Sequence, residues 1–181
     1  MKIHHFTSLI IVASILIGCA SGSAKVDSRV QSSNIPSFKK ILVHLNVESR
    51  NFNKEIVSGL QTSLASSLAS CGITSTIYVK DPLDINPKQT FAQRMNDFKP
   101  EAVLVITRTG GQVLIGEGGN QAEFDVMMRL RQTTPSIEVW TAKSDVRVLT
   151  QNIFSNDVKS GEKLGVKFFE VMKKDRVICQ D

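Results

Sequence analysis

Apolar residues recur along this chain with two different periods, and the switch between them divides it into helices and strands. Ile41-Leu42-Val43-His44-Leu45-Asn46-Val47 has the β-branched and apolar density of a buried strand. Residues 53–70 instead place Ile56, Leu60, Leu64 and Leu68 four apart, which lines them along one side of a helix, and Gly72 supplies its C-terminal stop. Thr76-Ile77-Tyr78-Val79 forms a second short strand, ended by Asp81-Pro82. Asn86 before Pro87 reads as an N-cap and first-turn proline, opening a helix whose buried side is Phe91, Met95 and Phe98 and which stops before Pro100. Ala102-Val103-Leu104-Val105-Ile106 is apolar at every position, as a central strand covered on both faces requires.

From residue 122 the period becomes two. Ala122, Phe124, Val126, Met128 and Leu130 alternate with Glu123, Asp125, Met127, Arg129 and Arg131, so this strand has one buried and one wet face. Thr133-Thr134-Pro135-Ser136 makes a turn, residues 137–149 supply another strand centred on Val139-Trp140-Thr141, and a last helix over about 160–175 buries Leu164, Phe168, Val171 and Met172. Right-handed crossovers put the first three strands in the order 2-1-3 with the intervening helices on opposite faces. The antiparallel pair then extends the sheet. The expectation is an α/β domain with a single mixed five-stranded sheet, order 2-1-3-4-5, helices on both faces and a C-terminal helix.

The amino-terminal stretch is of another kind. Lys2 precedes an apolar run over 6–16 that ends in Leu16-Ile17-Gly18-Cys19. At about 12 residues the run is short of the roughly 20 needed to cross a bilayer, and its flanks have the layout of a secretory signal peptide. The cysteine that closes it resembles the lipobox of bacterial lipoproteins. That resemblance implies removal of residues 1–18 and lipidation of Cys19, with the membrane a partner through the lipid anchor. Ala20 after Cys19, where an aspartate could stand, is similar to lipoproteins sent to the outer membrane, so its periplasmic face is the implied location. Residues 20–37 are rich in serine and lack a sustained apolar period, and read as a flexible tether with a reach of about 21–25 Å. The expected organisation is therefore a signal peptide over 1–18, a lipidated cysteine and tether over 19–37, and a periplasmic domain over 38–181.

Composition adds little beyond this. With Lys2 gone, 21 of the 22 Lys and Arg remain against 17 Asp and Glu, a mildly basic balance with no dense basic block. It suits an ordinary solvated surface, or contact with acidic lipids or anionic cell-wall polymers. Nucleic acid is not an expected partner of an exported chain. Lipidation of Cys19 leaves Cys71 and Cys179 as an even pair in an oxidising compartment, for which a disulfide is the leading expectation, worth about 4 to 5 kcal/mol for a loop of roughly 100 residues. Buried free thiols and a reactive thiolate are the alternatives.

A helix ending in FKPEAVLVITRTGG, an amphipathic strand EFDVMMRLR, a polar turn and IEVWTAKSDVRV together resemble a pattern in bacterial envelope lipoproteins. Similar domains occur in the amino-terminal part of the Tol translocation protein, the curli secretion lipoproteins and the lipoprotein activators of penicillin-binding proteins. The likeness spans residues 39–174 in element order and implies a fold, whereas function has to be argued from the site.

Candidate chemistry is sparse. Gly110-Gly111 and Gly116-Glu117-Gly118-Gly119 have neither the following helix nor the Lys-Ser/Thr pair of a phosphate loop, so they read as a bulge and a hairpin loop. Between them Val113, Leu114 and Ile115 form either a strand extension or a projecting tip that docks on a partner or the membrane. Together with Arg129 and Arg131 on the wet strand face they are the candidate partner-binding residues. His44, the one histidine outside residues 1–18, has no Cys or His at metal spacing, and neither a catalytic set nor a metal or cofactor site is expected. The reading is a lipid-anchored binding or accessory module whose partner is an envelope protein or cell-wall polymer. The alternative, a hydrolase acting on cell wall or lipid, calls for a cleft gathering His44 with Asp125 or Glu123. Trp140 is either core or a partner anchor, and Lys173, Lys174 and Arg176 offset the dipole of the last helix.

Overall fold

The computed structural model describes residues 23–47, 54–116, 119–150 and 158–180; the expected signal peptide over 1–18, Cys19 and the loop residues 117–118 lie outside them. The elements run β1 (Ser23–Val30), β2 (Lys40–Asn46), α1 (Lys54–Ser70), β3 (Thr74–Val79), α2 (Pro87–Phe98), β4 (Ala102–Gly116), β5 (Gly119–Gln132), β6 (Ile137–Thr150) and α3 (Val158–Lys174). The fold is mixed α/β: one sheet and three helices, the last of them C-terminal. The sheet has six strands in the order β1-β6-β5-β4-β2-β3, which corrects the expected five in the order 2-1-3-4-5.

The difference is β1. It pairs antiparallel with β6, from Ser23 opposite Arg147 to Val30 opposite Trp140, and it occupies part of the stretch expected to be tether. Its residues alternate: Ala24 and Val26 pack against the core, while Lys25, Asp27 and Arg29 are exposed. That is the half-buried pattern of an edge strand, carried by two small apolar side chains. β2 runs parallel to both β3 and β4, and β4, β5 and β6 form an antiparallel meander.

One face of the sheet is fully covered. Ile41, Val43 and Leu45 of β2, Leu104 and Ile106 of β4, Phe124, Val126, Met128 and Leu130 of β5 and Trp140 of β6 are all buried beneath α1 and α3. The expected stripe of α1, Ile56, Leu60, Leu64 and Leu68, is buried there, as are Leu164, Phe168 and Met172 of α3, while Val171, expected with them, lies at the flank of that side and is only partly buried. The two helices touch backbone to backbone, because a Cβ on Gly161 would fall on the carbonyl oxygen of Ile56 and one on Gly59 on that of Val158. Gly72, at φ +68°, ends α1, and the Ile73 N–H donates to the Leu68 carbonyl at 3.1 Å. Next to it Cys71 is bonded to Cys179, with Cα atoms 5.3 Å apart, which ties the end of α1 to the segment after α3. Trp140 is wholly enclosed, its indole N–H donating to the Asp175 carboxylate at 2.7 Å, so it is core and not a partner anchor.

Among the described residues the opposite face is covered only at its β3–β2–β4 end, by α2. None of the α2 residues is buried; Phe91, Met95 and Phe98, expected as its buried side, are half-exposed. The cause is position: α2 packs on the edge strand β3, so water reaches its flanks. Asn86 makes no side-chain cap, and the first turn is closed by Pro87 and by the Thr90 N–H donating to the Asn86 carbonyl at 3.0 Å.

Candidate binding face

Strand register assembles the uncovered part of this face row by row. Ser23, Arg147, Glu123 and Gln112 lie side by side across β1, β6, β5 and β4. The next row is Lys25, Asp145, Asp125 and Gly110, then Asp27, Lys143, Met127 and Thr107, then Arg29, Thr141, Arg129 and Val105. The pleat sends every second residue to one side, so alternation in each strand becomes a continuous polar surface. Among the described elements no helix covers it.

Charges of both signs interlock on this surface. Arg147 meets Glu123 at 3.2 Å, and Gln112 donates to the other oxygen of the same carboxylate at 3.3 Å. Lys143 lies 3.9 Å from Asp145, Lys25 3.9 Å from Asp27 and Arg129 3.8 Å from Glu138. All are solvent-exposed pairs, worth at most about 1 kcal/mol each, so they set the character of the surface more than its stability. Asp125 and Asp145 sit directly opposite each other in the ladder, an arrangement that raises local negative potential and disfavours the free sheet.

A bulge in β4 between Arg108 and Gly110 shapes the surface into a groove. A Cβ on Gly110 would lie 2.6 Å from the Asp125 carboxylate, so the missing side chain makes room for that carboxylate. Gly111 follows at φ +133°, a conformation that favours glycine. The groove has a volume of about 520 Å3 and is lined by Gln112, Glu123, Asp125, Lys143, Asp145 and Arg147. Beneath it the Arg108 guanidinium lies over the Phe124 ring, 5.6 Å from its centroid, and donates to the Gly111 carbonyl at 3.3 Å. The glycine pairs thus form a bulge and, at Gly116 opposite Gly119, the end of a hairpin.

The expected partner-binding residues fall in two places. Val113, Leu114 and Ile115 lie in β4 in register with Ala122, Gln121 and Asn120, which makes them an extension of that strand. Arg129 and Arg131 are exposed further along β5, and Arg129 is nine positions from Asn120, about 30 Å at the usual rise per residue. Sequence reasoning passed over Lys25, Asp27, Arg29, Lys143, Asp145 and Arg147. The signal was present as alternation with Ala24, Val26, Ala142, Ser144 and Val146.

His44 stands apart from the groove. Its ring stacks on Phe91 at 4.8 Å and lies 5.1 Å from Tyr78, under α2. Burial first, then the nearby Lys80 ammonium, hold its pKa below the ordinary value. It shares a row with Val105 and Arg129, two strands across and four positions along from Asp125, roughly 16 Å away by sheet geometry. No cleft gathers His44 with Asp125 or Glu123. Among the described residues no group of three His, Cys, Asp or Glu side chains is placed to hold a metal.

Comparison with protein-family models and with curated proteins gives no match. Solved structures do share the fold. PelC from Paraburkholderia phytofirmans, a dodecamer, is similar over 80% of this chain and 94% of its own, with 13% identity and a TM-score of 0.51. The lipoprotein GNA1162 from Neisseria meningitidis is similar over 76% of this chain and 99% of its own, at 20% identity and a TM-score of 0.46. At such identities the PelC likeness is one of fold.

Proposed function

We propose that this chain is a lipid-anchored accessory module of the cell envelope, held at the periplasmic face of the outer membrane through Cys19, and that it acts by binding and not by catalysis. The observation that carries the reading is the asymmetry of the sheet among the described residues: one face is closed by α1 and α3, while on the other no described element covers β5, β6 and β1, which carry a charged groove. A surface with Lys143, Arg147, Asp125 and Asp145 within one groove fits a partner that itself presents both signs of charge, which favours an envelope protein over a uniformly anionic polymer. The fold likeness to PelC, which forms a dodecamer, is in keeping with a chain that acts through protein contacts.

The test is site-specific photo-crosslinking in intact cells from Lys143 and, as a control, from Lys167 on the exposed side of α3. A discrete adduct from position 143 that is absent from position 167 and lost on Arg147→Glu is the expected result. Equal adducts from both positions would remove the sheet face as the binding surface.

A further inference from the structure

We infer that the outer edge of β1 pairs antiparallel with the same edge of a second copy of this chain, in the register that sets Val26 opposite Val26 and Lys25 opposite Asp27. β1 ends the sheet on one side, and among the described residues its one strand partner is β6. A single hydrogen bond gives the direction of its backbone groups. The Gln31 N–H donates to the Val139 carbonyl at 2.8 Å, continuing the ladder in which Val30 lies opposite Trp140. In an antiparallel ladder, residues that exchange such bonds alternate with residues that do not. Arg29, Asp27 and Lys25 therefore turn their N–H and C=O groups to β6, while Ser28, Val26 and Ala24 turn theirs outward. A strand of 8 residues with unpaired groups along one edge is a template for another strand.

Charge selects the strand that fits. Lys25, Asp27 and Arg29 are exposed and alternate in sign, and the loose 3.9 Å contact of Lys25 with Asp27 leaves both side chains more than three-quarters in water. Backbone bonds across the edge require that Ala24, Val26, Ser28 and Val30 oppose one another, so the possible registers differ by steps of two. Setting Asp27 opposite Asp27, or Lys25 opposite Lys25, brings like charges together at the centre. Setting Ser28 opposite Ser28 joins Asp27 to Arg29 but overlaps the two strands only over residues 26–30. Setting Val26 opposite Val26 overlaps residues 23–29, joins Lys25 to Asp27 on both sides of the centre and brings no like charges together. Those pairs are the non-hydrogen-bonded ones, whose side chains come closest. The contact is isologous, with its two-fold axis normal to the sheet, so the open faces of both copies lie on the same side. A partner then meets two charged grooves instead of one. The pairing stands whether or not Cys19 carries a lipid.

The test uses the full chain as isolated from cells, in detergent, with a nitroxide on Arg147→Cys and spin–spin distances read by pulsed electron resonance. Arg147 lies opposite Ser23 in the ladder, so the register separates the two labelled positions by about six residues along the strands and three strand spacings across, roughly 25 Å. A distance peak at that value is expected. Ser28→Pro should reduce the peak about fivefold, because the lost N–H points away from β6 and only the second copy needs it. Ala24→Pro serves the same end should Ser28→Pro shift the emission of the buried Trp140, which reports the packed core. A monomeric mass by sedimentation, or a peak that survives the proline, would overturn the pairing. So would a peak displaced by about 5 Å or more, the change that a different register produces.

Discussion

The two faces of the sheet are built to different standards. Under α1 and α3 the large side chains are enclosed and two helices meet through glycines, with a disulfide joining their ends. Under α2 the contact is aromatic and half-open: Phe91 stacks on His44, and the His44 Nε2 and Tyr78 hydroxyl are buried without a hydrogen-bond partner among the described residues. Beyond α2 no described element covers the face. Close packing concentrates stability on one side, and the other side is left free to present charge, with a loosely held helix beside it.

The largest expected effect concerns the closed face. Replacing Cys71 and Cys179 together by serine should lower stability by about 4 to 5 kcal/mol, since the bond closes a loop with a sequence separation of 108. Urea unfolding of the pair variant against the parent measures it. Next, the faces can be compared with one kind of substitution. Phe168→Ala, on the closed face, should cost about 3 to 5 kcal/mol, and Phe91→Ala on α2 about 1 to 2, because its ring is already partly hydrated. Equal losses in thermal unfolding would break the comparison.

A smaller effect sharpens it through pH. With the folded-state pKa of His44 depressed by burial and Lys80, the contribution is full above about pH 6.5, where both states are neutral. As pH falls below that value the unfolded chain takes up a proton first, and stability declines until His44 is protonated in the folded state as well. His44→Phe should flatten this part of the stability profile, and a slope unchanged between pH 6.5 and 5 would count against it. The smallest effect belongs to the bare face. Arg147→Ala, which removes the 3.2 Å contact with Glu123, should change stability by less than about 0.5 kcal/mol while lowering the yield of the position 143 adduct. A loss of several kcal/mol would mean that the face is structural.

Some of this architecture is written in local sequence and some is not. The helical stripe of α1, the Gly72 stop, the apolar run Ala102–Ile106 that opens β4 and the alternation of β5 are properties of spacing, and spacing survives without a fold. The Cys71–Cys179 pairing could be expected from counting, given an exported chain. β1 escaped because Ala24 and Val26 bury little area by themselves; Ser23–Val30 becomes a strand only where β6 offers it an open edge. α2 shows the reverse case, a good amphipathic pattern with too little sheet beneath it to bury its apolar side.

The sequence by itself determined which residues alternate, which recur every fourth position and where the chain turns, because these depend on the geometry of one helix or one strand. Only the tertiary structure decided which charges share a surface. Lys25, Asp145 and Asp125 are distant in sequence, and pairing of β1, β6 and β5 brings them into one row. It also separated Val113, Leu114 and Ile115 from Arg129 and Arg131, since a strand in sheet extends about 3.3 Å per residue and cannot fold its two ends together.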